Sequence, residues 1–177
     1  MILKIRPYIN KKIMLTLYYS LIYPHLIYAN EVWGNTFENQ INRIVVLQKR
    51  IVRIICNEDR RLDNYALPDS NPLFRNLKIL KVKDIFKSKI LDFIFNCLTN
   101  QISNFSNWFY FLQDVQNRIT RANANKNLYI PHIRTVRYGG KSLKVTGPKI
   151  WNELPLHIKD SKSYYSFKNK VKNYLLQ

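Results

Sequence analysis

The stretch Ile41–Cys56, INRIVVLQKRIVRIIC, constrains the fold more than any other part of the chain. Ile41, Ile44, Val45, Ile51, Val52 and Ile55 recur three, four, seven and eleven residues apart, the spacing of one buried face of an α-helix. Within that face only Gln48 interrupts. Arg43, Lys49, Arg50 and Arg53 fall off it, within roughly 120° of one another at ~100° per residue, with no acid among them. One side of the helix therefore requires a hydrophobic core. The other offers a cationic edge suited to nucleic-acid phosphates, or, in the plainer reading, a solvated basic face like most exposed Lys and Arg.

Composition bears on that choice. The 177 residues suffice for one domain or two small ones, and 46% apolar residues supply a core. The 29 Lys and Arg outnumber 11 Asp and Glu, for a net charge of +18. Such an excess points to a polyanionic partner, nucleic acid or an acidic membrane surface; Asn is abundant beside Lys, as an A-rich coding sequence gives, so the charge is discounted but not to zero. Cys56 and Cys97 both lie on apolar helical faces and are expected to be core thiols. They form no disulfide framework or zinc spacing, and His25, His132 and His157 are scattered, so no metal site and no cofactor are expected. The uncharged run Ile13–Asn30 after Lys11-Lys12 mimics a signal peptide or short membrane span. Four tyrosines within it, Pro24-His25 in its middle and the lack of a small-x-small cleavage site argue against both. No membrane association and an intracellular location, nucleus or cytoplasm, are expected.

Along the chain, Asn10 offers an N-cap for a helix from Lys11 to Tyr23, which Pro24 ends or kinks because it has no N–H to give to the Ser20 carbonyl. Gly34 is a C-terminal stop. The second helix begins near Phe37 or Glu38 and ends at Asn57. A polar loop over 58–70 leads to a short helix, 73–77, behind Asn71-Pro72. The next long helix, 83–98, has Ile85, Phe86, Ile90, Phe93, Ile94 and Cys97 as its core face, and Lys81, Lys83, Lys87 and Lys89 as a second basic surface. Residues 108–112 are dense in aromatics and compatible with a short helix.

Composition then shifts. Between Val115 and Ile150 there are eight basic residues and no acid. Gly139-Gly140 between RTVRY and KSLKVT reads as the turn of a β-hairpin, Gly147-Pro148 opens a helix-like IWNELP, and Ser161 caps a last amphipathic helix over 165–176. The expected fold is mainly α: a small helical bundle with a short β-hairpin near residues 134–147. It divides into a thumb-like helical domain, 1–100, and a basic C-terminal extension, 101–177.

Catalytic motifs are not found. The 11 acids are scattered and form no Asp-Asp pair, whereas two-metal polymerases and nucleases need converging carboxylates. There is no Gly-rich phosphate loop and no nucleophile elbow. The chain alone is expected not to be an enzyme. Cations with interleaved aromatics remain, a pattern that gives strong, sequence-tolerant binding to phosphates. The pairs Arg118/Arg121 and Arg134/Arg137 join Arg43, Lys49, Arg50 and Arg53 as candidate nucleic-acid-binding residues. Trp108 and Tyr110 are candidates to stack on bases, unless they pack the core.

In their order and spacing, LYYSLIYPHLIYANEVWG (17–34), LQKRIVRII (47–55), PLFRNLKILKVKDI (72–85), Thr120-Arg121, GPKIWNELPLHIK (147–159) and FKNKVKNYLL (167–176) resemble the C-terminal region of reverse transcriptases from non-LTR retrotransposons of the jockey type. The resemblance covers nearly the whole chain. It implies that the first helices belong to a polymerase thumb, which grips the template–primer duplex through its backbone, and the remainder to a C-terminal extension. The family's Tyr/Phe-x-Asp-Asp catalytic motif is absent here, as are fingers, palm and endonuclease. The resemblance therefore implies a piece of an RNA-directed DNA polymerase without polymerase activity of its own, and no catalytic residue is carried over. The Met1 start just before the thumb suggests a truncated element or partial gene model.

Two readings follow. In the first, the chain is a nucleic-acid-binding C-terminal fragment whose partner is an RNA/DNA template–primer duplex. In the second, it is a non-catalytic interaction fragment whose apolar faces pack on a missing palm domain or upstream polypeptide. A basic peripheral membrane protein is a weaker third.

Overall fold

A computed structural model describes residues 2–57, 69–115, 125–135 and 139–177. Their architecture is mainly helical. The α-helices are α1 (Ile2–Ile5), α2 (Lys11–Leu17), α3 (Tyr23–Ile27), α4 (Asn30–Trp33), α5 (Glu38–Cys56), α6 (Asn71–Asn76), α7 (Val82–Leu98), α8 (Leu112–Val115), α9 (Leu143–Asn152), α10 (Leu156–Lys159) and α11 (Tyr164–Leu175). Contacts divide the chain into two compact units, Met1–Phe86 with Leu176–Gln177, and Lys87–Leu175. That division falls inside α7, whereas the division read from the sequence lies between residues 100 and 101.

In the first unit, Asn10 caps α2 as its residue type predicts: its side chain accepts from the Ile13 N–H at 2.9 Å. Pro24 does not end the helical path. The turn before it, Tyr18–Ile22, widens to a π-helix, and the Tyr23 N–H reaches back to the Tyr18 carbonyl. A wider turn changes which carbonyls need a donor, so the missing proline N–H is absorbed without a break. Gly34 does follow the last residue of α4, but its φ of −66° asks nothing special of glycine. Space is the reason for the glycine: a Cβ there would lie 2.4 Å from Phe86 and 2.5 Å from the Asn30 carbonyl.

The helix α5 is the spine of this unit, and α2 and α6 pack on it. Ile41, Val52 and Ile55 are buried and Ile44, Val45 and Ile51 half-buried, as the periodicity predicts; Ile54, which lies off that face toward Arg50, is buried as well. Gln48 is not a gap in that face. It is 2% exposed, and its amide Nε2 donates to the Tyr18 hydroxyl (3.1 Å) and the Leu80 carbonyl (2.9 Å) while Oε1 accepts from the Val82 N–H (3.0 Å). The Val82 N–H is one of the orphan donors at the start of α7, so a side chain from another helix caps it.

In the second unit, the described residues do not support the expected β-hairpin near 134–147, of which residues 136–138 lie outside them. Gly139–Lys141 is a 3-10 turn and KSLKVT runs into α9. Among the described residues there is no strand, only an isolated antiparallel bridge between Phe111 and Leu128. Packing decides this. As a helix, α9 buries Val145, Gly147, Pro148, Ile150 and Trp151, a continuous face that strand alternation would split between two sides. Gly147-Pro148 therefore lies inside a helix rather than at its start. A Cβ on Gly147 would sit 3.1 Å from Ile94 and 3.2 Å from Phe109, so glycine permits the close approach. The aromatic stretch also differs: Ser103–Trp108 is a 3-10 helix and the chain is extended at Phe109. The cap of α11 is Ser163, whose carbonyl and Oγ accept from Phe167 N and Ser166 N. The Ser161 hydroxyl donates instead to the Ile158 carbonyl at 2.7 Å. Phe167 of α11 stacks on Phe95 (4.4 Å between centroids) and on Trp151 (5.8 Å).

Candidate nucleic-acid interface

Local chemistry fixes both ends of α5. Phe37 enters with extended backbone and its carbonyl accepts from Gln40 N and Ile41 N. Glu38 occupies the first turn, at the positive end of the helix dipole. It pairs with Lys83, whose hydrogen bond and charge hold the carboxyl below the usual carboxylate range. At the other end Asn57 takes the left-handed conformation, φ 65°, and stops the helix, as asparagine tolerates better than most residues.

Between those ends the helix carries no acid. With Gln48 and Val52 pinned inward, Arg43 and Arg50 project outward and are exposed, and Lys49 and Arg53 are half-buried beside them. The four sequence-predicted cations of this helix are thus brought onto one side. Arg43, Lys49 and Arg50 have no ion-pair partner among the described residues. Two apolar side chains share the outward surface: Val46 is 63% and Leu47 57% exposed. Cations without carboxylates around a small apolar strip can neutralise phosphates and rest on sugars or base edges.

Other expected site residues are distributed differently. Arg134 is exposed and belongs to the second unit. Arg118, Arg121 and Arg137 lie outside the described residues. Of the lysines expected as a second basic surface, Lys83 is taken up by Glu38 and Lys87 by Glu153 at 3.6 Å. Trp108 is half-buried, edge-on to Phe105, with the Lys144 Nζ 4.8 Å over its ring, so one face of the indole is occupied. Tyr110 is exposed. Cys97 is buried, with its thiol pKa pushed up by that burial, and Cys56 is half-buried.

Two constellations escape the sequence reading. The first surrounds Lys159, only 6% exposed. Its Nζ donates to the Asn127 Oδ1 (2.8 Å), the Asn125 carbonyl (3.2 Å) and the Asn152 carbonyl (3.5 Å). Beside it the Asn152 amide holds both backbone groups of Leu128 (2.7 and 3.0 Å), and the Trp151 indole N–H donates to the Lys126 carbonyl (3.0 Å). This set clamps a length of backbone. The second is the outer face of α11, with Tyr165, Lys168 and Lys172 exposed; the spacing of three and seven residues was readable in the sequence.

Among the described residues, no three His, Cys, Asp or Glu side chains converge on a possible metal position, and no helix is long and apolar enough to cross a membrane. No family model matches the chain, and neither a curated protein nor a solved structure matches it.

Proposed function

We propose that this chain is a nucleic-acid-binding module of the kind found at the thumb and C-terminal extension of a non-LTR retrotransposon reverse transcriptase. The observation that carries the reading is α5, a helix with one face buried, its rotation set by Gln48, and Arg43, Lys49, Arg50 and Arg53 along the other side with no acid between them. The ordered motifs and the net charge of +18 support it. The partner is an RNA/DNA template–primer duplex, met through its phosphates, inside the cell in nucleus or cytoplasm. No catalysis is assigned: the sequence has no Tyr/Phe-x-Asp-Asp run.

The test is a fluorescence-anisotropy titration against an RNA–DNA hybrid at several salt concentrations. The logarithm of affinity is expected to fall linearly with the logarithm of salt, and the double variant Arg43→Glu/Arg50→Glu to lower the slope by about 2. Unchanged affinity and slope in that variant would sink the reading.

Val46 and Leu47 favour a second reading, in which the outer face of α5 packs on a polymerase palm or another upstream polypeptide. Val32 and Tyr28, also strongly exposed, extend the apolar surface of the same unit. That reading predicts self-association of the isolated chain, relieved by Val46→Lys/Leu47→Glu.

A further inference from the structure

The outer face of α11 has a chemistry that α5 lacks. At ~100° per residue, Tyr165, Lys168, Asn169 and Lys172 fall within roughly 100° of one another, and all four are exposed, opposite the buried Phe167 and Val171. Tyr165 is 75% exposed and has no ring partner among the described residues. Lys168 lies over the neighbouring Tyr164 ring at 5.7 Å and leaves the Tyr165 face open. The helix contains no acid. The two acids nearest in sequence are occupied, Asp160 by Lys126 at 2.6 Å and Glu153 by Lys87 at 3.6 Å. Lys168 and Lys172 thus remain an uncompensated positive pair around an open aromatic ring.

From this we infer that the outer face of α11 binds single-stranded nucleic acid, with Tyr165 stacking on a base and Lys168 and Lys172 meeting flanking phosphates. Charge selects a polyanion, and the exposed ring selects one with unpaired bases. Every base offers a π-face, so an aromatic with adjacent cations binds single strands with little sequence preference. A duplex hides those faces. The outward side of α5 displays no aromatic ring and is suited to phosphates of either form. The two faces therefore take different forms of nucleic acid, and this inference stands apart from the assignment of α5.

The experiment uses the full chain, a fluorescein-labelled oligothymidylate and, in parallel, the RNA–DNA hybrid. Tyr165→Ala is expected to weaken oligothymidylate binding roughly tenfold, and Tyr165→Phe, which keeps the ring, to bind within about twofold of the parent. Lys168→Glu/Lys172→Glu is expected to lower the single-strand salt slope by about 1.4. Hybrid binding stays within about twofold in both tyrosine variants if duplex contacts reside on α5. If Tyr165→Ala binds oligothymidylate as the parent does, the inference is overturned, whether or not the α5 variant has lost the hybrid. Binding to acidic lipid vesicles with none to oligothymidylate would assign the face to a membrane surface and overturn it equally. Loss of hybrid binding in the α5 variant alone bears only on the reading of α5.

Discussion

Gln48 in the first unit and Lys159 in the second do the same job with different chemistry. Each is a buried polar side chain making three hydrogen bonds that include backbone groups of a segment distant in sequence. Gln48 is neutral, with two donors and one acceptor matched to two acceptors and one donor. Lys159 brings a full charge into a site whose partners are all neutral oxygens, two carbonyls and an amide. Burying a neutral amide costs little once its bonds are made, whereas burying an ammonium leaves a residual penalty that neutral partners only partly offset. The neutral pin is therefore expected to be the stiffer fixture, and the charged clamp the one that responds to solution conditions.

The largest effect that would break this comparison comes from Gln48→Leu. Leucine fills the volume but leaves the Val82 N–H and Leu80 carbonyl unpaired beside a buried tyrosine hydroxyl. At about 1–3 kcal/mol for each buried group left unsatisfied, the loss should be on the order of 3 kcal/mol, read as a lower urea midpoint. A change below about 1 kcal/mol would mean that Gln48 merely fills space.

Next comes the phenol that Gln48 touches. Burial pushes the Tyr18 pKa up to about 12, against 10.0 ordinarily, with the Gln48 hydrogen bond opposing the shift. Above pH 10 the unfolded chain gives up this proton first, so the folded state binds more protons. The contribution is then complete below pH 10 and lost as pH rises toward 12, amounting to on the order of 2–3 kcal/mol. Tyr18→Phe leaves one Gln48 amide hydrogen without its acceptor and should cost about 1–2 kcal/mol at pH 7, but it should flatten the alkaline fall in stability, measured by urea unfolding between pH 9 and 11. An identical fall in both proteins would show that Tyr18 titrates normally.

A smaller loss, about 2 kcal/mol, is expected from Asn152→Ala, which frees the Leu128 N–H and carbonyl at the edge of the clamp. These bonds are only part-buried, so water can replace them in part. Asn152→Asp separates the roles: it keeps an acceptor for the Leu128 N–H and loses the donor, and should lie between alanine and the parent.

How far this was legible in the sequence depends on the range of the interaction. The bounds of α5 were legible to within a residue or so, because periodicity, Glu38 and Asn57 are local signals. The outward positions of Arg43 and Arg50 followed from the same period. Gln48 was visible only as an interruption, since its partners Tyr18, Leu80 and Val82 are at least thirty residues away. The hairpin was misread for a related reason. Gly139-Gly140 is a local turn signal, but α9 is helical because Gly147 lets it approach Ile94 and Phe109, which no local pattern encodes. The WNELP stretch gave no hint that Trp151 and Asn152 grip backbone over 126–128, for the same cause.

Lys159→Met is the smallest predicted change and the sharpest test of the comparison. Removing the ammonium unpairs three oxygens, but it also removes a buried charge, so the net loss at pH 7 should be only about 1 kcal/mol. The pH dependence carries more information. Burial holds the Lys159 pKa below its usual 10.5. Between that lowered value and 10.5 the unfolded chain binds more protons than the folded one, so this residue makes stability rise with pH. Tyr18 acts in the opposite sense over an overlapping range. Lys159→Met should therefore steepen the alkaline fall in stability, while Tyr18→Phe flattens it, and the double variant should restore an intermediate slope. If Lys159→Met flattens the curve instead, the ammonium is stabilised by its three oxygens beyond the penalty of burial. The clamp would then be as firm a fixture as the Gln48 pin.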